Sequence, residues 1–146
     1  MRHHLILRVI TKLLVGTIFL FALYVQFHGD YSPGGGFQAG VIMAAGFIIY
    51  GLVFTLEKVK AVFSPWLVHK MLAFGVILYM GTGIFSLLKG YSFLDYDAID
   101  PHHPVHGQHI GIILVELGVG ITVAAVIVAI YYAFAARTPS LHDEDW

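Results

Sequence analysis

Four long apolar runs constrain the fold of this chain more than any other feature of its sequence. They occupy residues 9–27, 37–56, 71–88 and 110–136. At a rise of about 1.5 Å per helical residue, each run can cross the roughly 30 Å hydrocarbon core of a bilayer. The composition agrees, because only 12% of the residues are charged, against about 25% in a typical soluble domain. We therefore predict an all-α integral membrane protein with four transmembrane helices, forming a single domain over residues 1–146.

The positions of lysine and arginine predict how these helices are oriented, since both residue types accumulate in cytoplasmic loops. Seven of the eight flank the runs on one side: Arg2, Arg8, Lys12, Lys58, Lys60, Lys70 and Arg137. Only Lys89 lies on the other side. Both termini are therefore expected in the cytoplasm, with residues 28–36 and 89–109 outside. The inner linker around residues 57–69 is expected to form a short turn.

The composition also excludes several classes of function. The chain has no cysteine, which rules out disulfides, thiolate metal sites and cysteine nucleophiles. A formal net charge of -1 gives no indication of a nucleic-acid partner. The glycine-rich segment is not preceded by a strand and lacks the Gly-Lys-Ser/Thr of a P-loop, so nucleotide binding is not predicted either. We expect no cofactor.

A glycine-rich hinge, residues 28–36, joins the first two apolar runs. It ends in Pro33-Gly34-Gly35-Gly36, and Gly40 follows one turn later. Exposed backbone at a membrane is costly unless it is buried in protein or lines a wet cavity. The hinge therefore indicates either close helix packing, with Gly36 and Gly40 on one face, or an ion route that would include Asp30. A tight turn, in which Pro33 fixes φ and the glycines supply positive φ, is the simpler explanation.

Glu116 is the one acidic residue well inside an apolar run. An ionised carboxylate in a span is costly unless it is hydrated, paired or protonated, which makes it a functional candidate. His109 lies two helical turns earlier on the same face, and Gly120 leaves space one turn later. A proton or cation relay through His109 and Glu116 is one interpretation. The other is that Glu116 hydrogen-bonds a neighbouring subunit and serves packing alone.

The second outer loop is rich in groups that bind cations. Residues 95–109 contain three aspartates and four histidines. The spacing of His102, His106 and His109 could gather imidazoles around zinc, but two prolines in the loop break regular helix and leave convergence unspecified. The alternative, which we favour, is a solvated surface without a metal that attracts cations or docks a partner, with His106 a candidate for the ion path. Histidine also makes this loop the expected pH-sensitive element.

Two segments together resemble a known family, the B subunit of Mrp-type multisubunit Na⁺/H⁺ antiporters (MnhB). One runs from His28-Gly29 through Pro33-Gly34-Gly35-Gly36-Phe37-Gln38-Ala39-Gly40, and the other from His106-Gly107-Gln108-His109 through Leu114-Val115-Glu116-Leu117-Gly118-Val119-Gly120. The resemblance covers nearly the whole chain within the same four-span layout.

This resemblance implies an accessory subunit of a monovalent cation/proton antiporter and not an enzyme. Its partners would be the other subunits, Na⁺ and H⁺ as transported ions, and the lipid of a bacterial or archaeal inner membrane. B-like subunits also occur in membrane-bound hydrogenases and related respiratory complexes, so an ion-transfer subunit of such a machine is an alternative. A scaffold that only seals the interface between transporting subunits is another.

Overall fold

The chain is described by a computed structural model that covers residues 5–29 and 33–137. Those residues form five α-helices, and the described part contains no strand. The helices are α1 (Leu5–Phe27), α2 (Gly36–Phe54), α3 (Leu56–Val62), α4 (Pro65–Leu88) and α5 (Pro104–Ala135). Four of them, α1, α2, α4 and α5, are long and apolar enough to cross a membrane. The predicted all-α fold with four transmembrane helices is therefore confirmed.

Helices α4 and α5 each begin six residues earlier than the sequence predicts, because a helix can continue past the end of its apolar run. Helix α4 begins at Pro65 and α5 at Pro104, rather than at residues 71 and 110. Proline is favoured in the first turn of a helix, where its missing N–H costs nothing. In α4 the Ser64 hydroxyl also accepts a hydrogen bond from the Leu67 N–H at 3.3 Å, which caps the helix. The first turns of both helices thus lie outside the predicted apolar runs.

The inner linker is more structured than the short turn expected from sequence. Helix α3 occupies its first half and buries Val59 against the inner ends of the longer helices. Phe63 follows it, and its carbonyl accepts a hydrogen bond from the Tyr132 hydroxyl at 2.6 Å. The buried cluster at this end contains Ala44, Val59, Phe63, Val68, Ala125, Val128 and Tyr132. This cluster fixes the linker to the last turns of α5.

Helix α5 is the centre of the bundle, because it packs against both α2 and α4. Small residues allow the close approach. A Cβ atom added at Gly118 would lie 2.9 Å from the Gly75 carbonyl oxygen on α4, and one at Gly40 would lie 2.6 Å from the Gly120 carbonyl oxygen. Such distances are shorter than side chains normally tolerate, so glycine is required where α5 crosses both neighbours. Helix α1 packs mainly on α2.

The outer loop is anchored on the first turns of α5. A short 3-10 turn, Tyr96–Ala98, places the Tyr96 ring against Gly111 and the Tyr96 carbonyl 2.8 Å from a Cβ added at Gly107. At 1.5 Å per residue α5 is about 48 Å long, which exceeds the roughly 30 Å of hydrocarbon. The loop therefore covers that part of α5 that extends past the outer ends of α1 and α2.

Candidate functional site

The hinge between α1 and α2 is closed by backbone contacts. The Gly35 N–H donates a hydrogen bond to the Val25 carbonyl in the last turns of α1, at 3.2 Å. Gly35 has φ 113° and ψ 179°, a conformation open to glycine but strained for other residues. A Cβ at Gly34 would lie 2.9 Å from the same Val25 oxygen. The chain thus turns directly back on α1, and Gly35 provides the positive φ that the turn requires.

The Glu116 carboxylate lies inside this hinge. A Cβ added at Gly29 would sit 2.6 Å and 2.7 Å from its two oxygens, Oε1 and Oε2, and one added at Gly35 would sit 2.9 Å from Oε1. Glycine at both positions leaves room for the carboxylate, which is half-buried. The structure therefore brings together the two features that the sequence singled out separately, the glycine hinge and the acid of the last span.

The carboxylate lies beside the N-terminal end of α2. Helix α2 begins at Gly36, with Gly35 as its N-cap and no side-chain cap on its first turn. The first N–H groups of a helix lack intrahelical partners and carry about half a positive charge. A carboxylate beside the N-cap is stabilised there by about 0.3–1 kcal/mol, and by up to about 2 kcal/mol when partly buried. The start of α2 is thus a favourable place for an acidic side chain.

Glu116 also marks the closest crossing of α2 and α5. A Cβ at Gly36 would overlap the Glu116 carbonyl oxygen, and one at Gly120 would lie 3.1 Å from the Gly36 carbonyl oxygen. Gly40 meets Gly120 one turn further along. The carboxylate is consequently level with the first residue of α2. Because α5 begins at Pro104, twelve of its residues precede Glu116 and extend past the start of α2.

Gln26 is a site residue that the sequence analysis passed over. It is 8% exposed in the last turns of α1, and its Oε1 lies 2.5 Å from a Cβ added at Gly120. An apolar cavity of about 170 Å³ adjoins it, lined among others by Ala22, Gly40, Met43, Leu117 and Gly120. The sequence feature that could have indicated Gln26 is its position as a single amide near the end of an otherwise apolar run.

Two further candidates for the ion path lie on the first turns of α5, His106 and His109. His109 is exposed on α5, about 10 Å along the helix axis from Glu116. His106 is exposed as well, and its Nδ1 lies 3.2 Å from Oδ2 of Asp100 in the outer loop. Asp30 lies outside the described residues. The hinge thus contains Glu116, while His106 belongs to a separate cluster.

That cluster is organised around Asp100. The His103 N–H donates to Asp100 Oδ1 at 3.2 Å, and the His103 Nδ1 lies 3.6 Å from Oδ2. Desolvation acts to raise the pKa of Asp100, but hydrogen bonds from His106 and from the His103 backbone, with the nearby His103 charge, lower it overall. Gln108 donates to Asp97 at 2.7 Å. These contacts join the loop to the start of α5.

The predicted alternative of histidines around zinc finds no geometric support in the loop. His106 is directed to Asp100, and three residues of the kind needed to hold a metal are not grouped anywhere in residues 5–29 and 33–137.

The Tyr96 pKa is raised by burial and by the neighbouring Tyr79. A protonated phenol is thus maintained where the loop packs on α5.

Comparison with known proteins identifies the family. Residues 6–129 match the family model described as a domain related to the MnhB subunit of Na⁺/H⁺ antiporters. The chain is 36% identical over 132 residues to a protein of Staphylococcus haemolyticus named as antiporter subunit mnhB2, covering 89% of this chain and 93% of that one. It is 35% identical over 127 residues to the protein of that name from Staphylococcus aureus strain Newman, covering 86% and 89%. The chain therefore belongs to the MnhB family of antiporter-subunit domains.

Proposed function

We propose that this chain is an accessory membrane subunit of a multisubunit Na⁺/H⁺ antiporter and that its Glu116 lies on the route of protons or cations. Family membership and the names of its relatives support the subunit assignment. The observation that carries the role of Glu116 is its carboxylate beside Gly29 and Gly35, at the start of α2. A multi-pass protein of the bacterial cell membrane with other subunits as partners follows from this assignment.

The position of Glu116 suits reversible charging. A carboxylate within the hydrocarbon costs several kcal/mol when ionised, and the N-terminus of α2 returns only about 2 kcal/mol at most. Level with the first residue of α2, however, Glu116 is near the outer boundary of the span, where that cost is reduced. Neither the charged nor the neutral form is then strongly excluded, which is what a group that exchanges protons or cations requires.

The same geometry suits a structural role, which is the second candidate. A carboxylate between Gly29 and Gly35 holds the α1–α2 turn against α5 whether or not it titrates. In that case the chain would be a scaffold between transporting subunits. The two roles differ in what a neutral isostere does, because glutamine keeps the shape and polarity of the side chain and removes its charge.

The exposed surface supports a subunit within a larger assembly. Helix α1 leaves most of its large apolar side chains uncovered, among them Leu5, Ile6, Leu13, Leu20 and Phe27. Such a surface requires lipid or other apolar helices around it. We further propose that both termini are cytoplasmic and that residues 1–146 form one domain.

Deletion of this subunit tests the assignment. In the host organism, an in-frame deletion should abolish Na⁺-dependent dissipation of ΔpH in everted vesicles, and a plasmid copy should restore it. Affinity purification of the tagged chain should recover the other antiporter subunits. Unchanged exchange after deletion, or co-purification with redox-metal subunits instead, would contradict the antiporter assignment and favour the hydrogenase-type alternative.

A further inference from the structure

Three cationic side chains converge on one aromatic ring at the end of the bundle opposite the hinge. Phe54, the last residue of α2, has the Arg8 Cζ atom 5.4 Å from its ring centroid. The Lys12 and Lys58 Nζ atoms lie at 5.7 Å and 5.9 Å from the same centroid. The three cations come from two elements, α1 and α3, and we call them with Phe54 the basic pocket.

The positive charge of the basic pocket is not balanced by nearby carboxylates. Within residues 5–29 and 33–137, no acidic group pairs with Arg8, Lys12 or Lys58. Glu57, in the first turn of α3, is the neighbouring acid and points to solvent as an exposed residue. The C-terminus of α2 contributes only about half a negative charge. An excess of positive charge therefore remains around a ring that attracts each of the three cations weakly.

A cavity is present beside two of these cations, Arg8 and Lys58. It measures about 260 Å³ and is lined by Arg8, Val53, Phe54 and Lys58. Apolar side chains border the same end of the bundle, with Leu52 63% exposed and Val62 70% exposed. The site thus combines a charged cavity with an uncovered apolar surface beside it, at the end of two membrane-spanning helices.

We propose that the basic pocket binds the phosphate headgroup of an anionic phospholipid, whose acyl chains lie against the adjacent apolar surface. Basic pockets between transmembrane helices are suited to such headgroups. A general preference for positive charge on one side of the membrane explains why cations lie at this end of the bundle, but it does not explain why three of them gather around one ring. Lys60 and Lys70 lie at the same end and contact other rings, those of Tyr132 and Trp66. Free phosphate would use the cations and leave the apolar surface uncovered, which is why we favour the lipid.

Native mass spectrometry of the full-length chain in detergent tests this proposal. Phosphatidylglycerol should bind in preference to phosphatidylcholine. Each of Arg8→Gln, Lys12→Gln and Lys58→Gln should weaken phosphatidylglycerol binding about fivefold, as expected for the loss of one cation near an anionic headgroup. Lys60→Gln and Lys70→Gln are matched controls at the same end and should leave binding unchanged. The charge-conserving Arg8→Lys and Lys58→Arg should retain it, with circular dichroism confirming the helical fold.

Several results would overturn the proposal. Equal binding of the two lipids, or equal weakening by the two control variants, would mean that the basic pocket does not recognise the headgroup. Displacement of the lipid by inorganic phosphate at comparable concentration would identify a free-anion site. Lipid binding that emerges only when residues 138–146 are deleted would identify the acidic end of the chain as the occupant. Binding of an acidic peptide but not of lipid would identify a protein partner.

Discussion

At the scale of single residues, the hinge works because glycine is present where backbone and carboxylate meet. Glu116 lies against Gly29 and Gly35, and Gly35 also has the positive φ that closes the turn onto Val25. Two independent demands thus fall on Gly35, one steric and one conformational. Gly29 meets only the flexible end of the Glu116 side chain, so the demand there is steric alone.

Substitution of Gly35 is therefore expected to damage the hinge, because it violates both demands at once. In Gly35→Ala the new Cβ lies 2.9 Å from Glu116 Oε1 at φ 113°, and a strained backbone of this kind costs about 1–3 kcal/mol. We expect lower complex yield on a native gel and reduced antiport. Gly81→Ala is the matched control, because nothing lies within 4 Å of its Cβ. Equal behaviour of the two variants would contradict the account.

At the scale of secondary structure elements, hydropathy predicts the four spans but not all of their ends. Helices α4 and α5 begin at prolines that precede polar residues, His69 and Lys70 in α4 and His106 in α5, which interrupt the apolar signal. Helical periodicity could place Glu116 and Gly120 on one face of α5. It could not say which element packs on that face, because that depends on where Gly36 and Gly40 of α2 cross α5. The contact of Glu116 with the hinge was therefore beyond sequence reasoning.

The junction of the outer loop with α5 is expected to depend on pH through Asp100. Its pKa is lower in the folded protein than in the unfolded chain, so its contribution to stability is present above the unfolded pKa of about 3.9. That contribution is lost as the pH falls through the folded value. The protection factors of residues 96–107, which remove the intrinsic pH dependence of amide exchange, should fall on acidification below about pH 4.

Asp100→Asn provides the comparison for this pH effect. The variant should show faster exchange in the loop already at neutral pH, with less further acceleration in acid. Asp95→Asn is a suitable control, since Asp95 accepts only the local Asp97 N–H at 3.3 Å. Identical exchange profiles for wild type and Asp100→Asn would show that the loop does not depend on this carboxylate.

At the scale of the whole molecule, different charged groups lie at opposite ends of the helical bundle. The cations Arg8, Lys12 and Lys58 gather around Phe54 at one end of the bundle, while the hinge and the Asp100 cluster lie at the other end. This separation could be predicted from the sequence, because the positive-inside rule uses only the positions of lysine and arginine. The convergence of three cations on one ring required the structure.

Reporter fusions test the proposed orientation. A reporter active only in the cytoplasm should be active when fused after Trp146 or within residues 58–70, because both positions lie on the basic side. A fusion within residues 95–106 should be inactive. A periplasmic reporter at the same three positions gives the complementary pattern and controls for expression. Activity of the cytoplasmic reporter within residues 95–106 would contradict the proposed topology.

The central claim is that the Glu116 carboxylate transfers charge, and Glu116→Gln tests it most directly. Sodium-dependent dissipation of ΔpH in everted vesicles is measured together with complex yield on a native gel. We predict normal yield with exchange reduced to a small fraction of the wild-type rate, partial activity in Glu116→Asp, and normal exchange in the control Glu57→Gln, which alters the exposed acid of α3. Full exchange in Glu116→Gln would contradict the claim and leave Glu116 as a structural residue of the hinge.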